Sequence, residues 1–174
     1  MDVKFPIGEL TVPEKVSLED IQKWLKKIDT YTIRLNEIVD SLSDEELSRT
    51  YRDDSWTVRE LVHHIADSQL IMYQRLKLAL TDENPTVPAF DQDKWAIQPD
   101  TKLSIESSIK ILDGINERIV SLGHSLTEEQ LYRAFTLQKK GEKKKEKITV
   151  ATKVAKLCWH EEHHLAHIKI ALSK

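Results

Sequence analysis

Six of the seven histidines in this chain fall in two short runs, His63-His64 and the set His160, His163, His164 and His167. Neutral imidazole is a ligand for zinc and other divalent transition metals. Two histidines four apart on a helix share a face, with Cβ atoms about 6 Å apart, so both rings can reach one ion. His160 and His164 have that spacing, and so do His163 and His167. At about 100° per residue, the apolar stripe Val150, Val154, Leu157, Leu165 and Ile168 lies nearer to His160 and His164 and turns that pair toward an interior. The same construction around Val58, Leu61, Val62 and Ile65 puts His64 slightly nearer the apolar side than His63. His64, His160 and His164 are therefore the predicted ligands of one divalent metal ion. The competing reading is a set of core histidines, each needing its own hydrogen-bond partner. Two overlapping His-x-x-x-His pairs together with a His-His pair favour the metal.

Three protein ligands leave at least one coordination position for water or substrate, as in catalytic rather than purely structural sites. A bound ion acting as a Lewis acid lowers the pKa of water or of a thiol, so no protein nucleophile is required. Cys158 lies on the apolar side of its helix and reads as a small core residue. Glu60 and Asp67 flank His64, and Glu161 and Glu162 follow His160. A metal-binding histidine commonly gives its second N–H to such a group, so Asp67 or Glu60 is expected to orient a histidine, with a solvated charge as the equal alternative. Tyr73, Arg75 and Arg52 are candidates to position an anionic cosubstrate, with structural roles as the alternative.

The elements that must carry these residues are helices. The 4 Gly and 5 Pro leave long stretches free of helix breakers. A first helix follows the N-cap Ser17 and runs to about Val39, with one slip of the apolar spacing near Thr30. A second opens on the capping box Thr57/Glu60 and ends near Thr81. Pro85, Pro88 and Pro99 make residues 82 to about 102 a long loop, with Phe90 and Trp95 packed on the bundle. A third helix runs from about Ser104 to Leu122 with Gly123 as its C-cap, and a fourth from Ile148 to about Ser173. The charged run Lys139 to Lys147 reads as an exposed loop. Ser41-Leu-Ser-Asp-Glu-Glu-Leu47 matches Ser125-Leu-Thr-Glu-Glu-Gln-Leu131, so each half reads as helix, short capped helix, helix. The expectation is an all-α four-helix bundle with short extra helices, in one domain spanning residues 1–174.

Composition limits what such a bundle can do. Lys and Arg total 26 against 29 Asp and Glu, a net charge of −3 that gives no pull toward nucleic acid or anionic lipid. No apolar run approaches the roughly 18 residues of a membrane helix. A single cysteine fits a reducing compartment, and the cytoplasm is the expected location.

The residues also carry a family resemblance across nearly the whole chain. The matching elements are Phe5-Pro6-Ile7-Gly8-Glu9, Tyr51-Arg52-Asp53, Trp56-Thr57-Val58-Arg59, His63-His64-Ile65-Ala66-Asp67-Ser68 and Tyr73-x-Arg75-x-Lys77-Leu78. Leu80-Thr81-x-Glu83-x-Pro85, Asp91, Trp95 and Trp159-His160-x-x-His163-His164-x-Ala166-His167-Ile168 continue the match. Together they resemble the DinB-like metal-dependent proteins, and more closely the YfiT-type branch of metal-dependent hydrolases that includes bacillithiol S-transferases. The resemblance implies an up-down-down-up four-helix bundle, a zinc or nickel ion on His64, His160 and His164, and a homodimer. It implies either hydrolysis or transfer of a low-molecular-weight thiol of the bacillithiol type to an electrophile. The alternative is a non-catalytic, metal-stabilised dimeric binding or stress-response module. This chain departs from the pattern in the segment from Phe135 to Lys145, where relatives carry an aromatic and a His-Pro pair, and at Gln69, where relatives can have histidine.

Overall fold

The computed structural model describes residues 2–139, 141 and 145–174. Helix α1 (Leu18–Asp29) starts on a capping box in which Ser17 and Asp20 satisfy each other's backbone N–H groups, and it buries Ile21, Leu25 and Ile28. Helix α2 (Tyr31–Val39) continues it after a break at Thr30. The apolar spacing slips at this residue, and the Thr30 hydroxyl donates back to the Lys26 and Lys27 carbonyls. Helix α3 (Asp44–Leu47) carries its own box from Ser43 and Glu46. Helix α4 (Val58–Thr81) opens on the Thr57/Glu60 box, with the Glu60 carboxylate accepting from the Thr57 N–H at 2.8 Å. Helix α5 (Gln92–Ala96) interrupts the long connection, and α6 (Glu106–His124) and α7 (Val150–Leu172) complete the helices.

The four long arms, with α1 and α2 as one, form an up-down-down-up bundle. Arg34 pairs with Glu162 and Leu25 faces Gly123, so the first arm runs parallel to α7 and antiparallel to α6. His63 meets Ser108 and Gln69 meets Asn116, so α4 and α6 run parallel. Parallel neighbours cannot be joined by a tight turn. The segment between α4 and α6 must return the length of the bundle, which is why the proline-rich stretch is long.

A three-stranded sheet, which the sequence reading did not anticipate, ties the connections together. Strand β1 (Thr86–Pro88) lies in the α4–α6 connection, and β2 (Ala134–Gln138) and β3 (Lys145–Thr149) precede α7. β2 pairs with β1 in parallel and with β3 in antiparallel fashion. The Lys139–Lys147 run is thus corrected in part: residues 145–147 are strand, while Lys140 and residues 142–144 lie outside the described residues. Its charges hid the strand, since only Ile148 and Thr149 turn partly inward. The second member of the internal repeat keeps its cap, Thr127 bonding Gln130, but forms only a 3-10 turn over Gln130–Tyr132. Trp95 stays 42 % exposed against Phe90 rather than packing into the bundle.

The core is in two parts. One contains Leu25, Met72, Leu76, Ile119, Phe135, Val154 and Leu157, and the other contains Leu35, Leu61, Ile65, Leu112, Leu165 and Ile168. Along three of the four arms the boundary between them falls where buried polar residues stand: Gln69 on α4, Asn116 on α6 and His160 to His164 on α7. A polar layer therefore crosses the middle of the bundle. Among the described residues no helix is long and apolar enough to cross a membrane.

Gly123 is not a C-cap. It lies inside α6, where an added Cβ would stand 2.5 Å from Cδ2 of the fully buried Leu25, and that close approach is its physical reason. Gly123→Ala is expected to destabilise the protein by about 1–3 kcal/mol through overpacking. Gly114→Ala, with nothing within 4 Å of the new methyl, should stabilise it by about 0.5–1 kcal/mol. Urea unfolding of the two variants checks both signs.

Candidate metal centre

The antiparallel pairing of α4 with α7 sets His64 opposite His160 and His164. His64 Nε2 lies 3.1 Å from His160 Nε2, and one ring nitrogen from each of the three residues falls within 4.8 Å of the others. Ring centroids are 5.1, 4.9 and 4.5 Å apart for the three pairs. All three side chains are buried, and burial lowers the His64 pKa to about 4 and those of His160 and His164 well below the ordinary histidine value. Neutral rings at this spacing converge as lone-pair donors, the set that suits a divalent transition metal. His160 Nδ1 is buried with no hydrogen-bond partner among the described residues, a cost of about 1–3 kcal/mol that an apolar core would not carry.

His163, His164 and His167 form a second group of close ring nitrogens. Hydrogen bonding ranks the two groups. His167 Nε2 lies 3.1 Å from the Val3 carbonyl, which only accepts, so this nitrogen carries the proton and donates. In the neutral ring Nδ1 is then an acceptor, and it lies 3.2 Å from His164 Nδ1, which must donate. That tautomer leaves Nε2 of His164 bare for the His64/His160 set. His167 also stacks on Tyr51 at 3.9 Å, and His163 stacks on Trp159 at 4.3 Å. His63 turns the other way, with Nδ1 2.7 Å from the Ser108 hydroxyl and Nε2 3.2 Å from the Leu103 carbonyl.

Neither flanking carboxylate orients a histidine. The Glu60 carboxylate is engaged by the Thr57 cap, and Asp67 makes no hydrogen bond to a ring among the described residues. Asp67 is half-buried, and burial, with Asp100 adding, pushes its pKa up to about 6. The orienting role that sequence spacing gave to these acids falls to His167 and a main-chain carbonyl near the N-terminus. A backbone acceptor more than a hundred residues away leaves no trace in sequence spacing. Trp56, whose ring stands 4.4 Å from His64, was also missed as part of the site.

A cavity of about 330 Å³ opens onto His160 and His164 past Phe5, Arg52, Trp56 and Lys156. Arg52 is thus on its wall, beside Tyr51. Arg75 lies in a neighbouring cavity that also touches His160. Tyr73 does neither, and packs against Arg118 on a different face. Cys158 is buried, and its thiol pKa is pushed up to about 12, chiefly by that burial.

Fold and site together define a class: a helical bundle of up-down-down-up topology with a cluster of inward-facing histidines that suggests a divalent metal. The chain belongs to the DinB superfamily, whose sequence profile matches residues 29–168. It is 73% identical over 173 residues to a protein of Oceanobacillus iheyensis, covering 99% of this chain and 97% of that one. It is 41% identical over 172 residues to a protein of Halalkalibacterium halodurans, covering 99% and 98%. Both carry provisional names as metal-dependent hydrolases. YfiT from Bacillus subtilis, described as a probable metal-dependent hydrolase with an unusual four-helix bundle topology, superposes with a TM-score of 0.90 at 34% identity, covering 97% of this chain and 95% of that one.

The relay makes a specific prediction. In metal-free protein, side-chain ¹⁵N NMR should find His164 protonated on Nδ1, and His167→Phe should lower metal affinity about 10–100-fold while leaving the fold intact. A His164 protonated on Nε2 would contradict it. Cys158 should resist iodoacetamide at pH 8 in the native protein and react once urea unfolds it, as mass spectrometry would report.

Proposed function

We propose that this chain is a metal-dependent enzyme in which His64, His160 and His164 hold one divalent ion, Zn²⁺ or Ni²⁺. Its substrates would be small electrophilic molecules, attacked by water or by a low-molecular-weight thiol of the bacillithiol type. The observation that carries this reading is the convergence of three buried, neutral imidazoles, with the His64 and His160 Nε2 atoms 3.1 Å apart. The provisional names of the relatives and the description of YfiT support the same class.

An ion bound there would supply Lewis acidity, lowering the pKa of a coordinated water or thiol. The chain's own residues do the rest. The Val3–His167–His164 relay holds one ligand in its donating tautomer, while Trp56 packed on His64 and Phe5 packed on His163 restrict water around the rings. Cys158, with its thiol protonated and buried, takes no part as nucleophile. The mouth cavity leaves room for a substrate at the histidines. A cytoplasmic location and a homodimer complete the reading.

The test is metal-loaded protein incubated with a chromogenic electrophile plus thiols, and separately with an ester panel. His164→Ala should lose turnover together with more than about 100-fold in metal affinity, since loss of a ligand exceeds the loss of an orienting partner. Thiol-dependent turnover assigns transfer, and turnover of esters without thiol assigns hydrolysis. Tight metal binding with no turnover in either arm would overturn the enzyme in favour of a non-catalytic, metal-stabilised dimeric binding module.

A further inference from the structure

A second cavity, of about 370 Å³, lies between α4, α7 and the inner face of the sheet, and it shares His160, Lys156 and Gln92 with the mouth cavity. Its lining includes Arg75, Lys153 and Lys156. Lys153 is only 4 % exposed, yet its ammonium makes no hydrogen bond and no ion pair among the described residues. Its one close polar-type contact is the face of Phe135, 5.3 Å away. Arg75 is 8 % exposed and gives one N–H to the Pro88 carbonyl at 2.8 Å, with its guanidinium 6.0 Å from the Phe90 ring. Lys156 stands 4.2 Å above the Trp159 ring.

These cations repel one another. Burial, with Arg75 and then Lys156 adding, pulls the Lys153 pKa down to about 7, and Glu146 opposes the shift. Glu146 lines the cavity too, but it is exposed on β3 and forms no ion pair among the described residues. The chain carries a net charge of −3, yet among the described residues no carboxylate forms an ion pair with Lys153. Buried charges are normally paired, and an unpaired one marks a place where the partner arrives from outside.

We propose that this cavity is an anion subsite, in which Arg75, Lys153 and Lys156 seat a carboxylate or phosphate of the substrate while the rest of that molecule passes His160 to the three-histidine centre. Leu10, Met72 and Phe90 line the same cavity, so the ligand class is a small organic anion with an apolar segment between its charge and its reacting end. Arg supplies a fork suited to either oxyanion, and the two lysines supply point charges. The substrate assignment rests on the enzyme reading above, whereas anion binding by the cavity does not.

The experiment therefore uses metal-free protein. Inorganic phosphate and succinate are titrated at constant ionic strength, with tryptophan fluorescence and thermal unfolding as readouts. Saturable binding of either anion is expected, with a rise in Tm. Lys153→Met should weaken it at least about tenfold, the loss of one charge-assisted contact. The same variant should leave metal affinity unchanged and raise the Tm of ligand-free protein, because an unpaired buried cation has been removed. Lys156→Gln, at a half-buried position, gives a second test with the same expected direction, and Arg118→Gln, on the far side of α4, should change nothing. Preference for succinate assigns a carboxylate, and preference for phosphate assigns a phosphate. No saturable binding by the wild-type protein, or equal binding by Lys153→Met and Lys156→Gln, would overturn the subsite. Anion binding with no turnover in the assays above would leave the subsite standing and remove the enzyme.

Discussion

The polar layer through the middle of the bundle is the constraint on which the rest of the structure depends. Helical bundles are stabilised by continuous apolar seams, and here the seam is cut in two on every arm. Gln69 donates to Asn116, and Asn116 donates to Glu161 at 2.7 Å, so part of the layer satisfies itself. It does so only in part: among the described residues Gln69 Oε1, Glu161 Oε2, His160 Nδ1 and His163 Nδ1 are buried without partners. Each such group costs folding free energy that apolar side chains of similar volume would return. A layer of this kind persists where the polar atoms have something to hold.

Topology follows from where that layer must meet. His160 and His164 on α7 meet His64 on α4 because those two arms are neighbours, and α6, running parallel to α4, adds Asn116 and Ser108. The parallel pair requires the long return segment, and that segment contributes Phe90 and Gln92 to the cavity beside the site and β1 to the sheet. One requirement of chain connectivity thus supplies both the closure of the bundle and the wall of the binding region. The sheet completes it, with Leu137 and Ile148 facing the same space.

The sequence was informative where the determinants are local. The N-cap at Ser17, the short capped helix within Ser41–Leu47 and the capping box at Thr57 were readable because donor and acceptor lie three residues apart, and the slip at Thr30 marked a true break. The histidine spacing on α7 was readable for the same reason, and His64 over His63 was a narrow choice that the fold places inward. What could not be read depends on partners distant in sequence. Strand β1 is three residues that become a strand only by pairing with Thr136 to Gln138. Gly123 looks like a helix stop until Leu25 is found against it. Val3 enters the site through its carbonyl, which every residue type possesses.

Electrostatics joins these parts. The three converging rings are neutral, so a divalent ion among them would keep its full charge. Glu161, a carboxyl in the layer itself, is fully buried, and that burial raises its pKa well above the usual range. Glu162 is spent on Arg34 at the edge of the bundle. Arg75, Lys153 and Lys156 then stand in the adjoining cavity with Glu146 as the one carboxylate among its described lining residues. A chain whose overall balance is acidic has therefore gathered positive potential at one end of a narrow space, and low-dielectric walls of Leu10, Met72 and Phe90 keep water from screening it. On the proposed reading, such a space would favour an anion over a cation before any chemistry takes place.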